Sequence, residues 1–270
     1  MIRRRLPLPF ALLFVSGVLS LAEGRQHQEI RRYQAPEARQ GVAVDEVFFY
    51  VVNNSAIGKY RRDTGERVAE WSCPEGEPMI HFNDGMLFEG RLYLSHSNYP
   101  GVPSTSSIEI FDAETLEPVD SISLGHGFGS FTWLDRWNGE WFACFAFYGN
   151  RAAEPARDPS WTQIIRFDER FRRLEGWVFP DGLIEKFANY SCSGGAFGPD
   201  GRMYVTGHDE KELYVVEFPE AGSILKWVDT IPIEAEGQAL CFDPADPWVL
   251  WTILKRNKEV IVGRIDPPVD

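Results

Sequence analysis

Histidine, cysteine and basic charge are all scarce in this chain. Its 270 residues include five histidines and four cysteines, and 27 Lys plus Arg face 40 Asp plus Glu, a formal net charge of −13. A surface this acidic has no overall field for a polyphosphate backbone, so nucleic acid is not an expected partner. The four cysteines, Cys73, Cys144, Cys192 and Cys241, show no CxxC spacing and are too few for a disulfide scaffold. Cys144 and Cys241 lie in apolar runs and read as buried thiols. No H-E-x-x-H motif occurs. Beyond the first two dozen residues no run is apolar and long enough to cross a bilayer. With 44% hydrophobic and 14% aromatic residues, the chain is too apolar to be disordered.

Arg3, Arg4 and Arg5 precede an apolar stretch from Leu6 to Leu21, and Ser20-Leu21-Ala22 places small residues before Glu23. This is the layout of a secretory signal peptide. Residues 1–22 are therefore expected to be an address and 23–270 a single domain, secreted or periplasmic, with no membrane attachment after cleavage. An uncleaved anchor is the competing reading.

A repeat organises the remainder. Segments opening at Gly41, Gly85, Gly129, Gly195 and Gly237 each hold a short apolar strand, a turn, and further strands separated by Asp, Gly or Pro turns. The spacings are 44, 44, 66 and 42 residues. The long interval holds an insertion around Asn150–Trp161 and a short helix near Asp181–Ala188. Four-strand units of about 40–45 residues predict propeller blades. The fifth unit lacks its outer strand, and Gln28–Gln34 stands where that strand belongs. The expected fold is all-β, a five-bladed β-propeller of four-stranded antiparallel blades closed by the N-terminal strand. A β-sandwich with a separate subdomain is the alternative.

In such a ring, the connections entering the innermost strands and the loops after the second strands converge on one funnel. This places Gln40, His81, Asn83, Asp84, His126 and Gln238 there by the first route. Asn53, His96, Tyr148, His208 and Lys255 arrive by the second. Four of the five histidines fall in this set. His96 and His208 occupy equivalent places in blades two and four, and an imidazole pair suits general acid–base work near neutral pH. Asp84 and Asp209 are placed to orient them, and Tyr148 to relay a proton. Gln40, Asn53, His81, Asn83, His126, Gln238 and Lys255 are the expected substrate contacts, Lys255 for an anionic group. Tyr99 and Trp133 are candidate walls. Alternatively His81, His96, His126 and His208 would hold a divalent metal. A glycosidase would instead need two carboxylates facing each other, from Asp84, Asp209 and Glu236. Asn53 and Asn189 head N-x-S sequons.

The run Met203-Tyr-Val-Thr-Gly-His208-Asp-Glu-Lys-Glu-Leu-Tyr214 resembles the V-T-G-K-x-W…L-Y-E-V stretch of plant-type and bacterial glutaminyl cyclotransferases. Gln40-Gly41-Val resembles their opening Q-G-L strand, and Asp84-Gly85 stands where they carry E-G. His208 replaces the family's Lys, and Ser95-His96-Ser97 its L-T-W. The histidine-rich segments also look like bacterial propellers termed cycloisomerases. The resemblance implies a secreted five-bladed propeller catalysing cyclisation, isomerisation or β-elimination on a small polar or carboxylated molecule. A non-catalytic binding propeller for glycans or small ligands is the alternative. In either case the expected partner is a small molecule or carbohydrate and the chain a monomer.

Overall fold

The computed structural model describes residues 24–268. The proposed signal peptide lies outside the described residues. β1 (His27–Gln34) comes first. Blade one follows as β2 (Gly41–Val44), β3 (Phe48–Asn53), β4 (Ala56–Arg61) and β5 (Arg67–Ser72). Blade two holds β6 (Phe82–Phe88), β7 (Arg91–Ser97), β8 (Thr105–Asp112) and β9 (Pro118–His126). Blade three holds β10 (Ser130–Trp137), β11 (Glu140–Ala146), β12 (Gln163–Phe167) and β13 (Arg173–Val178). After α1 (Asp181–Phe187) come β14 (Gly194–Phe197), β15 (Met203–Thr206), β16 (Glu212–Glu217) and β17 (Lys226–Pro232) of blade four. Blade five is β18 (Leu240–Phe242), β19 (Val249–Leu254) and β20 (Glu259–Ile265), completed by β1.

Each sheet is an antiparallel four-stranded meander, so the chain is a five-bladed β-propeller. The closing strand pairs from His27↔Ile265 to Gln34↔Glu259. Five apolar clusters fill the five blade interfaces. One of them joins Tyr33, Val42 and Phe49 to Trp251, Ile253 and Val260 across the closure. The burial gradient follows from this geometry. Inner strand β2 is buried at every position, whereas outer strand β5, Arg-Val-Ala-Glu-Trp-Ser, is largely exposed. Charges on such outer strands discourage edge-to-edge pairing.

Inner strands crowd near the axis, which explains the repeated glycines. A Cβ on Gly41 would lie 2.7 Å from the Asp84 Cα. One on Gly237 would lie 2.1 Å from the Gly207 carbonyl oxygen. Only glycine lets neighbouring backbones approach this closely.

Candidate functional site

A cavity of about 530 Å³ opens where the chain enters the inner strands. Gln40, His81, Asn83, Tyr148, His208, Gln238 and Lys255 line it, and Tyr99 forms part of its wall. Strand ends position them. His81 immediately precedes β6, His208 follows β15 by two residues, and Lys255 directly follows β19. Gln238 is held at φ +97°, its carbonyl accepting a hydrogen bond from the Thr206 hydroxyl at 2.7 Å. The Asn83 amide donates to the Phe131 carbonyl at 2.7 Å. Gln40 donates to the Asn54 side chain at 2.5 Å.

Five expected contributors lie elsewhere. β7 runs through His96, which pairs with Phe82 inside the sheet. Its side chain therefore shares the strand face of Leu92 and Leu94 and meets the Phe82 ring edge-on at 5.7 Å. His96 Nδ1 sits 2.9 Å from the Ser107 hydroxyl, which donates to Glu109 at 2.6 Å. The expected His96–His208 pair is thus not formed in the cavity lining. His126 is an exposed residue ending outer strand β9, paired with Thr105. Asn53 still belongs to β3, paired with Ala56, and accepts the Asn54 amide N–H at 2.6 Å; Asn54 lines the cavity in its place. Asp84 lies within β6 and faces a separate cavity of about 180 Å³ with Asp135 and Cys241. There burial raises the Asp84 carboxyl well above its ordinary range and Asp135 to about 6. Trp133 is likewise core, donating to the Cys192 sulfur at 3.3 Å.

These placements bear on two alternatives. His81, His96, His126 and His208 do not converge, and among the described residues no group of three or more His, Cys, Asp or Glu is arranged to hold a metal. No Asp or Glu is among the described residues lining the funnel cavity with His81 and His208, so the carboxylate pair a glycosidase needs is not formed there. Glu236 is instead paired with Arg256 at 2.7 Å.

Arg39, Arg151, Tyr190, Ser193 and Thr132 also line the cavity and were not anticipated. Arg151 comes from the insertion after β11 and sits over the Tyr99 ring, 5.7 Å from its centroid. Tyr190 follows α1 and covers His208 at 4.4 Å between ring centroids. The interval between Gly129 and Gly195 was the available signal, because extra chain at the funnel end of one blade reaches the mouth.

Three cations therefore face one cavity in an acidic protein. Two imidazoles there are held neutral. Burial lowers His81 to about 4, helped by neighbouring His96, and it packs against Tyr99 at 4.8 Å. Burial also lowers His208, opposed by Asp209. His208 Nδ1 lies 2.6 Å from the Asp209 carboxylate and Nε2 lies 3.2 Å from Lys255 Nζ. Nδ1–H thus donates to Asp209 while Nε2 accepts from the ammonium. Burial raises the Tyr148 phenol, which therefore carries its proton at neutral pH. Burial, then Arg39, lowers Lys255.

His81 gives a pH prediction. A depressed folded-state value contributes stability above the ordinary 6.5 that is lost as pH falls towards about 4. Denaturation midpoints of native protein and His81→Gln, measured across that window, should converge as pH falls. A constant difference between them would contradict this assignment.

No family model matches the chain, and neither does any curated protein. Solved structures do. A luciferin-regenerating enzyme aligns over 90% of this chain and 96% of its own, with TM-score 0.51 and 10% identity. The PQQ-bound aldose sugar dehydrogenase of Streptomyces coelicolor aligns over 89% and 98%, with TM-score 0.53 and 12% identity. Both neighbours are β-propeller enzymes. At such identities the likeness establishes the fold alone.

Proposed function

We propose that the chain is an enzyme that moves a proton within a small carboxylated molecule, in an isomerisation, a β-elimination or an intramolecular cyclisation. The carrying observation is a cavity lined by Arg39, Arg151 and Lys255, with no carboxylate among its described lining residues, in a protein of net charge −13. Three cations around one concavity favour an anion, with Lys255 partly buried and Arg39 and Arg151 exposed at its mouth. Arg39 and Arg151 hold the carboxylate, Arg151 presenting the fork that matches it. Gln40, Asn83 and Gln238 orient the remaining polar groups.

His208 is the base. Its tautomer is fixed by Asp209, leaving Nε2, which accepts from Lys255 in the resting site, as the nitrogen that takes up a proton. Tyr148 keeps its phenolic proton and supplies it, or a hydrogen bond, to the oxygen on which charge develops. His81, neutral over the same range, is the second acceptor within the lining. His208 occupies the place of the cyclotransferase lysine, so the resemblance supports the reaction class more than glutamine as substrate.

The aromatic wall of Tyr99, Tyr148 and Tyr190 favours one other reading, a binding propeller without turnover. Thermal shift against a panel of small carboxylates and neutral sugars, followed by product analysis of each stabilising compound, separates the two. Carboxylates should stabilise the protein and one class should be converted. Stabilisation by neutral sugars alone would overturn the anion site. Export remains part of the proposal, on residues 1–22, and N-terminal sequencing of the protein from its native host tests it.

A further inference from the structure

Lys255 differs from the other two cations of the cavity in what it touches. Its Nζ is 3.2 Å from His208 Nε2, and the opposite imidazole nitrogen is 2.6 Å from Asp209. Carboxylate, imidazole and amine stand in one file, the arrangement that elsewhere activates a hydroxyl or thiol. Tyr190 covers one face of the imidazole. The ammonium has one acceptor that can take its proton, and that acceptor has a carboxylate ready to stabilise the imidazolium. Burial and then the charge of Arg39 favour the neutral amine, opposed by the carboxylates of Asp209 and Glu236. A lysine meant only to bind an anion would gain nothing from a base aimed at its proton.

We propose that Lys255 is a nucleophile that forms an imine with the carbonyl carbon of a small oxo-carboxylate whose carboxylate rests on Arg39 and Arg151. This rests on the carboxylate reading above and narrows its substrate class. His208 Nε2 takes one proton from Nζ. The freed lone pair forms the C–N bond as the carbonyl π pair moves to oxygen, and the now cationic nitrogen passes a proton to that oxygen, giving the neutral carbinolamine. The imidazolium then returns its proton to that oxygen. Water leaves as the nitrogen lone pair forms C=N, so one ammonium and one carbonyl give one iminium and one water with no change of oxidation state. The iminium withdraws electrons from the adjacent carbon. His208, no longer bonded to an ammonium, is positioned to remove a proton there, which is the first step of an isomerisation or a β-elimination.

The test treats the full chain with glyoxylate or pyruvate and cyanoborohydride at pH 7, with peptide mapping of the reduced adduct. Each unit of depressed pKa raises the neutral amine fraction about tenfold. Lys255 should therefore be labelled ahead of exposed Lys211 and Lys258. Lys255→Arg should keep carboxylate binding and lose the preferential adduct. Asp209→Asn should slow labelling of residue 255 without changing acetate binding, because Asp209 acts as a positioning residue through His208. Thermal stabilisation by acetate and pyruvate with uniform lysine labelling would overturn the imine and leave the carboxylate site standing. Absence of stabilisation by any carboxylate, with uniform labelling, would overturn both.

Discussion

His208→Ala should lower turnover of the carboxylated substrate by about 10²–10⁴-fold, the usual contribution of a positioned acid–base group, and leave ligand binding largely intact. In the proposed site Arg39 and Arg151 supply the carboxylate contacts, and the cation bonded to His208 is Lys255. The loss should therefore fall on kcat rather than KM. His96→Ala should do the reverse. His96 lies outside the cavity lining, bonded to Ser107 beside Glu109. Its removal takes a buried ring from against Phe82 and breaks its bond to Ser107, and should cost about 1–3 kcal/mol of stability, with kcat little changed. Steady-state kinetics and denaturant unfolding of the two variants separate the roles. Equal kcat losses would restore the histidine pair expected from the sequence, and an unaffected kcat in His208→Ala would remove the base.

That contrast also marks how far the sequence reaches. The blade repeat, the number of sheets and the closing strand were all legible, because opening glycines and turn residues recur at fixed intervals and a missing outer strand has one candidate to replace it. The site was legible where a residue clears the end of its strand, as His81, His208 and Lys255 do. It was misread where pairing runs farther than apolar character. β7 continues through Ser95, His96 and Ser97, β9 through His126, and β3 through Asn53, all polar stretches that look like loop. Side chains alternate across a strand, so one or two residues of extra pairing decide which face a residue occupies. Ser95 and Ser97 turn towards blade three, where they bond the Thr132 carbonyl and Ser130; His96 between them turns the other way. Arg151 and Tyr190 were missed for another reason. They sit outside the repeat, and an insertion has no equivalent in the other blades from which to infer its direction.

Deleting the chain through Gln34 should leave a protein that does not fold to a soluble ring. The deletion removes the whole of β1, whose pairing with β20 spans His27 to Gln34. It also removes Tyr33, buried between Phe49 at 4.6 Å and Trp251 at 5.7 Å, with its hydroxyl donating to the Arg62 carbonyl at 2.5 Å. A large aromatic cut from a packed core costs about 3–5 kcal/mol by itself. The lost ladder bonds and the unpaired β20 edge add to that, against a total stability of about 5–15 kcal/mol. The exposed edge is moreover buried at Glu259 to Gly263, an apolar strand of the kind that recruits other chains. Tyr33→Phe provides the milder control. It keeps both ring contacts and loses one hydrogen bond, for about 1 kcal/mol. Supplying residues 24–34 as a peptide should restore folding of the truncated chain, since β1 meets β20 through its own ladder from His27 to Gln34. Size-exclusion chromatography and far-UV circular dichroism read the result. A monomeric, cooperatively unfolding truncation would mean that blade five is stable with three strands, and that closure contributes little to holding the ring together.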